Sequence, residues 1–254
     1  MSEIKENNKQ QLTDKYRRRF LAALGIGAAA GVLGSGGQLI ELTQAKSDDD
    51  AVTDQVRWGM LIDSGKCAEG CSSCVDACND EHGLTGFGRP ETDAQWIRKV
   101  DLKDRQTGRV LSLPLLCQHC ENPPCVDVCP TGASFKRADG IVLVNKHTCI
   151  GCRYCMMACP YKARSFIHEG LSNQKPWAPR GKGTVESCTL CVHRVDRDET
   201  PACVEACDEA GHQAMLFGDL NDPDSEISRQ SKQLPSKQLR ADLNLNTGVR
   251  YQGL

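Results

Sequence analysis

The chain has 254 residues, enough for one or two domains, but only 39% of them are apolar and 5% aromatic, which excludes a large continuous hydrophobic core. Its 31 Lys and Arg against 33 Asp and Glu give a formal charge of −2. No basic, aromatic-lined stripe breaks that balance, so nucleic acid is excluded as a partner. The sixteen cysteines are what the composition leaves to be explained.

In chain order, Tyr16-Arg17-Arg18-Arg19-Phe20-Leu21 precedes an apolar, Ala- and Gly-rich stretch that reaches about Leu42 and is broken by Gln38 and Glu41. Residues 1–45 are read as a twin-arginine export signal, with Thr43-Gln44-Ala45 as a loose cleavage site. The alternatives are an uncleaved anchor, for which the stretch is long enough, and an ordinary amphipathic helix. An acidic linker, Ser47 to Asp54, follows. A strand is then predicted over Val56–Asp63, a short helix containing Cys78, and a second strand over Trp96–Leu102. Further strands are predicted at Gly108–Leu116, Ile141–Asn145 and Ala163–Ile167, with short helices at Val126–Cys129 and Met156–Cys159. Residues 171–183, with Pro176, Pro179, Gly181 and Gly183, read as a surface loop. Residues 221–254 read as a polar tail, lying in solvent or on a partner.

The cysteines fall into four groups of four: Cys67/Cys71/Cys74/Cys78, Cys117/Cys120/Cys125/Cys129, Cys149/Cys152/Cys155/Cys159 and Cys188/Cys191/Cys203/Cys207. The third group is C-I-G-C-R-Y-C-M-M-A-C-P, the C-x2-C-x2-C-x3-C-P run of iron-sulfur proteins, whose fourth cysteine serves the other cluster of a pair. Two residues between ligands let a short loop wrap one cubane. The fourth cysteine, on the helix that follows, points toward a neighbouring centre, so motifs must fold in pairs. Strand, loop with three ligands, helix with the fourth, strand is the repeat. The middle groups are contiguous while the first and last lie more than a hundred residues apart. The fold class expected is therefore α+β, two ferredoxin-like modules with one inserted in the other: residues 46–104 plus 171–220 outside, 105–170 inside. Because thiolate ligation couples metal binding to folding, the apoprotein is expected to be poorly folded. Cysteine-rich chains in oxidising compartments usually form disulfides. The twin-arginine route, which passes folded and cofactor-loaded proteins, removes that conflict.

Together with C-Q-H-C-E-N-P-P-C-V-D-V-C-P-T-G-A (117–133) and F-G-D-L-N-D-P-D-S-E-I-S-R (217–229), these motifs resemble the four-cluster iron-sulfur subunits that accompany membrane quinone proteins and molybdopterin oxidoreductases. The resemblance covers about residues 57–230. Within that family the W-G-M-L-I-D-S-G-K-C opening and the chain's own signal are most similar to the DsrO-like branch, the periplasmic subunits of sulfite-reductase-linked membrane complexes. The resemblance implies a non-catalytic electron-transfer subunit carrying four 4Fe-4S clusters, without haem or flavin. It implies an NrfD-like (DsrP-like) integral membrane partner, a periplasmic multihaem cytochrome c (DsrJ-like), and further subunits of the complex. It also implies the ligand sets. One centre takes Cys67, Cys71 and Cys74 with Cys207, and its pair Cys188, Cys191 and Cys203 with Cys78. Cys117, Cys120 and Cys125 join Cys159, and Cys149, Cys152 and Cys155 join Cys129. The first motif departs from the family in its C-x3-C start, which Gly70 can absorb. Cys67 is the ligand this departure puts in question, and a three-iron centre is the alternative there.

Rival chemistries fit less well. Zinc would also use C-x2-C pairs but leaves the Cys-Pro endings and four-in-a-row groups unexplained. Covalent haem lacks its C-x-x-C-H, the nearest run being C-T-L-C-V-H. His82 and His119 are candidates to hydrogen-bond cluster sulfur, with a plain spacer role as the alternative. Lys136, Arg137, Lys162 and Arg164 are candidates to stabilise a reduced cluster, or ordinary surface charges. No nucleophile, phosphate-binding loop or carboxylate pair rises above background, so substrate chemistry belongs to another subunit. The electron relay of a periplasmic molybdopterin reductase or hydrogenase, and a zinc-binding structural protein, remain the alternative functions.

Overall fold

A computed structural model describes residues 52–172 and 174–254; the export signal and its anchor alternative lie outside them. The apolar run before the first cysteines forms β1 (Trp58–Asp63), in which Met60 and Ile62 are fully buried. A strand covered on both faces reads as a continuous apolar run, not an alternation. β1 is the middle of a three-stranded sheet. On one side it pairs antiparallel with β8 (Met215–Asp219), Met60 opposite Phe217, and on the other parallel with β9 (Val249–Gln252), Met60 opposite Val249.

The other sheets are two-stranded and antiparallel. β2 (Ile97–Lys103) pairs with β3 (Val110–Leu116), β4 (Ser134–Lys136) with β5 (Val142–Val144), and β6 (Ser165–Phe166) with β7 (Val185–Glu186). Between them lie α1 (Ser73–His82), α2 (Pro124–Asp127), α3 (Tyr154–Ala158), α4 (Val192–Val195), α5 (Ala202–Glu209) and α6 (Glu226–Gln233). α1 packs on α5, and α2 on α3. Among the described residues no helix is long and apolar enough to cross a membrane.

The predicted strands recur within a residue or two of their expected ends. The two helices of the middle motifs differ: α2 and α3 stop before Cys129 and Cys159 instead of including them. Each cysteine precedes a proline, whose ring drives the preceding residue out of the helical region, and Cys159 accordingly has φ −73° and ψ 112°. The loop at 171–183 is anchored from within. Arg180, 5% exposed, donates to both carboxylate oxygens of buried Glu186 at 2.9 and 2.7 Å and to the carbonyl of Gly83, the residue that caps α1.

The tail is the main correction. Residues 221–254 are polar in composition, yet several of the few apolar side chains they carry are buried: Ile227 on α6, Val249 and Tyr251 on β9. Ser225 caps α6, its Oγ accepting from Ser228 N at 3.3 Å. Burial depends on which residues face inward, not on the mean polarity of a segment, and the missing ladder partner of β1 supplied the place.

Candidate metal centres

None of the sixteen cysteines is in a disulfide; eleven are buried, four half-buried, and only Cys152 is exposed. Their placement follows from one spacing used four times. Cys74 and Cys78 on α1, and Cys203 and Cys207 on α5, stand four residues apart and so on one face of each helix, about 6 Å along the axis. Each helix therefore offers one thiol to each of two places. Cys74 meets Cys67, Cys71 and Cys207, while Cys78 meets Cys188, Cys191 and Cys203; burial first, and then these neighbours, raise the pKa of each central thiol. Cys125 on α2 and Cys155 on α3 repeat the spacing with Cys129 and Cys159, which lie just past the ends of those helices. Cys120 is crowded by Cys117, Cys125 and Cys159, and Cys155 by Cys149 and Cys129.

Two of these sets open on visible cavities. Cys67, Cys71, Cys74 and Cys207 line one, and Cys129, Cys149, Cys152 and Cys155 another. Among the described residues no three His, Cys, Asp or Glu side chains converge closely enough to hold a single metal ion. Four thiols per set suit a cubane, each of whose irons takes one thiolate.

Backbone geometry at the loops also repeats. The residue just before the second cysteine has a left-handed conformation in every motif: Gly70 (φ 74°), His119 (φ 42°), Gly151 (φ 69°) and Leu190 (φ 51°). Such turns aim successive N–H groups at one anion. The extra residue of the first motif enters ahead of Gly70 and leaves this register intact. Lys99, from β2, donates to the carbonyls of Ala68 and Cys71 and holds that longer loop in place.

Backbone donors reach the sulfurs directly. Ala214 N lies 3.3 Å from Cys207 Sγ, Leu190 N 3.4 Å from Cys188, Ser134 N 3.3 Å from Cys129 and Val185 N 3.5 Å from Cys149. Burial pushes Cys74, Cys125 and Cys191 up to about 11 and Cys120 to about 12, and neighbouring thiols add to this for all but Cys191. So many thiols ionise together only around a strongly positive core, which iron supplies.

The two histidines differ. His82, 1% exposed, places Nε2 3.3 Å from Cys191 Sγ; burial and the neighbouring His193 hold its ring neutral, with a pKa of about 3. His119 meets sulfur through its backbone N–H, at Cys117, and not through its ring. Its Nδ1 accepts from Val142 N at 3.0 Å, which leaves the ring proton on Nε2, buried and without a partner. Of the four basic residues, Arg164 alone reaches cysteine, its Nη2 donating to Cys125 Sγ at 3.1 Å. Lys136 pairs with Glu121, Arg137 with Asp139 and Asp196, and Lys162 is exposed without reaching a thiol. Nothing in the sequence singles out Lys99, because no local pattern ties a strand lysine to a loop thirty residues earlier.

Residues 59–133 and 108–220 each match the 4Fe-4S dicluster domain. The chain is similar to the Hdr-like menaquinol oxidoreductase iron-sulfur subunit 1 of Archaeoglobus fulgidus, with 41% identity over 94% of this chain and 98% of that protein. It is 37% identical to a tetrathionate reductase subunit of Salmonella typhimurium over 95% and 89% of the two chains. It is 39% identical to protein NrfC of Escherichia coli over 87% of each.

Proposed function

The chain belongs to the family of 4Fe-4S ferredoxin-type iron-sulfur subunits, and on that premise we propose that it relays single electrons through four 4Fe-4S clusters within a membrane-associated oxidoreductase. Each cluster, when bound, takes up and returns one electron. The ligand sets would be Cys67, Cys71, Cys74 and Cys207; Cys188, Cys191, Cys203 and Cys78; Cys117, Cys120, Cys125 and Cys159; and Cys149, Cys152, Cys155 and Cys129. The packing of α1 on α5 and of α2 on α3 supports one module inserted in the other.

The order of the thiol sets carries this reading. Cys74 of the first set neighbours Cys78 and Cys203 of the second, and Cys188 of the second neighbours Cys117 of the third. Arg164 touches the third set at Cys125 and reaches the fourth at Cys155. The sets thus stand in a row. All eight cysteines of the two middle sets are buried, whereas each end set has partly or fully exposed members: Cys67 and Cys71 at one end, Cys129, Cys149 and Cys152 at the other. A row closed in the middle and open at both ends is the arrangement a relay between two partners needs.

The partners proposed are an NrfD-like (DsrP-like) membrane subunit that exchanges electrons with quinone and a periplasmic multihaem cytochrome c (DsrJ-like), the chain being DsrO-like, periplasmic and exported by the twin-arginine route. The menaquinol oxidoreductase relative supports the quinone side. The tetrathionate reductase relative supports a second reading, relay to a periplasmic reductase.

The deciding measurement is iron, acid-labile sulfide and zinc per chain on anaerobically purified protein, with an electron paramagnetic resonance spectrum after dithionite reduction. About sixteen irons and sixteen sulfides are expected. Zinc without sulfide would sink the relay.

A further inference from the structure

Among the four basic residues near the Cys-Pro turns, Arg164 is the one whose charge is buried against sulfur and not paired with carboxylate. It follows Cys159-Pro160, where the proline ends α3 and Lys162 turns the chain at φ 51°, so that Arg164 is carried inward just before β6. It is 5% exposed. Its Nη2 donates to Cys125 Sγ at 3.1 Å. Cys155 is buried in the same small cluster as Cys125, with Val142 and Val185, which sets the guanidinium beside both thiols. Cys125 belongs to the third set and Cys155 to the fourth. Burial opposes the charge, and Cys125, Cys117 and Cys155 more than restore it. Nε and Nη1 are buried with no partner, two further donors free for sulfur in the space the thiols enclose.

A buried charge persists only when compensated. Here the compensation comes from two thiol sets at once, and the planar fork of arginine, with donors pointing in separate directions, is the side chain that can serve both. We propose that Arg164 is an electrostatic bridge, a positioning residue whose single positive charge and N–H donors raise the reduction potentials of both the Cys117/Cys120/Cys125/Cys159 centre and the Cys149/Cys152/Cys155/Cys129 centre. The physical basis is that each one-electron uptake adds negative charge beside a fixed cation in a water-poor interior, with no bond made or broken. The proposal rests on the iron-sulfur reading above.

The test is a redox titration, followed by electron paramagnetic resonance, of the full iron-loaded chain as wild type, Arg164→Met, Arg164→Gln and Arg164→Lys. Cys120→Ser and Cys152→Ser chains mark the signals of the third and fourth sets. In Arg164→Met, with iron and sulfide at the wild-type level, those two centres become at least tenfold harder to reduce, about 59 mV more negative each. The other two stay in place, and Arg164→Lys recovers most of the shift. All four potentials unmoved, or all four moved together, would overturn the bridge. If Arg164→Met loses iron, Arg164→Gln decides by the same two-centre shift, while loss of iron in Arg164→Lys as well would show a packing role and end the proposal. A wild-type chain without iron and sulfide would instead end the relay reading itself.

Discussion

Left-handed backbone before the second cysteine of every motif costs little at glycine and about 1 kcal/mol or more at His119 and Leu190. Surrounding structure must hold those two in place, and both are 1% exposed. At Gly151 the demand is steric too: a Cβ there would lie 2.1 Å from the carbonyl oxygen of Gly183 and 3.2 Å from Phe166. Gly151→Ala is therefore expected to displace the third loop, lowering iron bound per chain by about one cluster, where Gly70→Ala, with open space around it, costs only about 1 kcal/mol. An unchanged iron count in Gly151→Ala would show that the loop yields freely. At this scale the sequence was most legible. Cysteine spacing and the glycines within it name the loops, because the covalent reach of a short loop is a local matter. His82 and Arg164 were visible only as candidates, since the sulfurs they meet lie 109 and 39 residues away.

Elements were legible where the pattern is local and lost where a partner is remote. β1, β2, β3 and β5 follow from apolar runs, and the early ends of α2 and α3 from the Cys-Pro pairs. β9 does not, because its four residues, V-R-Y-Q, acquire their role from the open edge of β1. Tyr251 is its anchor: fully buried, with Oη donating to the carbonyl of Pro114 at 3.0 Å and accepting from Gln118 Nε2 at 3.2 Å. Tyr251→Ala is expected to cost about 3–5 kcal/mol, as other buried aromatics do, and Tyr251→Phe about 1–2 kcal/mol for the lost hydrogen bond. Chemical denaturation of the iron-loaded protein checks both, and equal losses in the two variants would refute a packing role.

At the scale of the molecule, cysteines take the place of hydrophobic side chains. Buried thiols interleave with Met60, Ile62, Leu113 and Leu116 in the main apolar cluster, so the core is completed by what the thiols hold. The low aromatic content announces this, but the linear order of the sets needs the fold, because it comes from α1 crossing α5 and from loops far apart in sequence. Loading before export follows if the chain leaves the cytoplasm folded. Replacing Arg17 and Arg18 with Lys is then expected to leave iron-loaded protein in the cytoplasm, read by fractionation, and normal periplasmic yield would contradict the route.

The C-terminal strand does more than close a sheet. Glu121 N donates to the carbonyls of Leu245 and Asn246, Gly248 N to those of Gln118 and His119, and Thr247 bridges Cys120. Residues 245–248 therefore clasp the second ligand loop, although they are translated after all sixteen cysteines. A growing chain has every ligand in hand before that loop can be fastened, so synthesis itself withholds the finished third site until translation has passed residue 248.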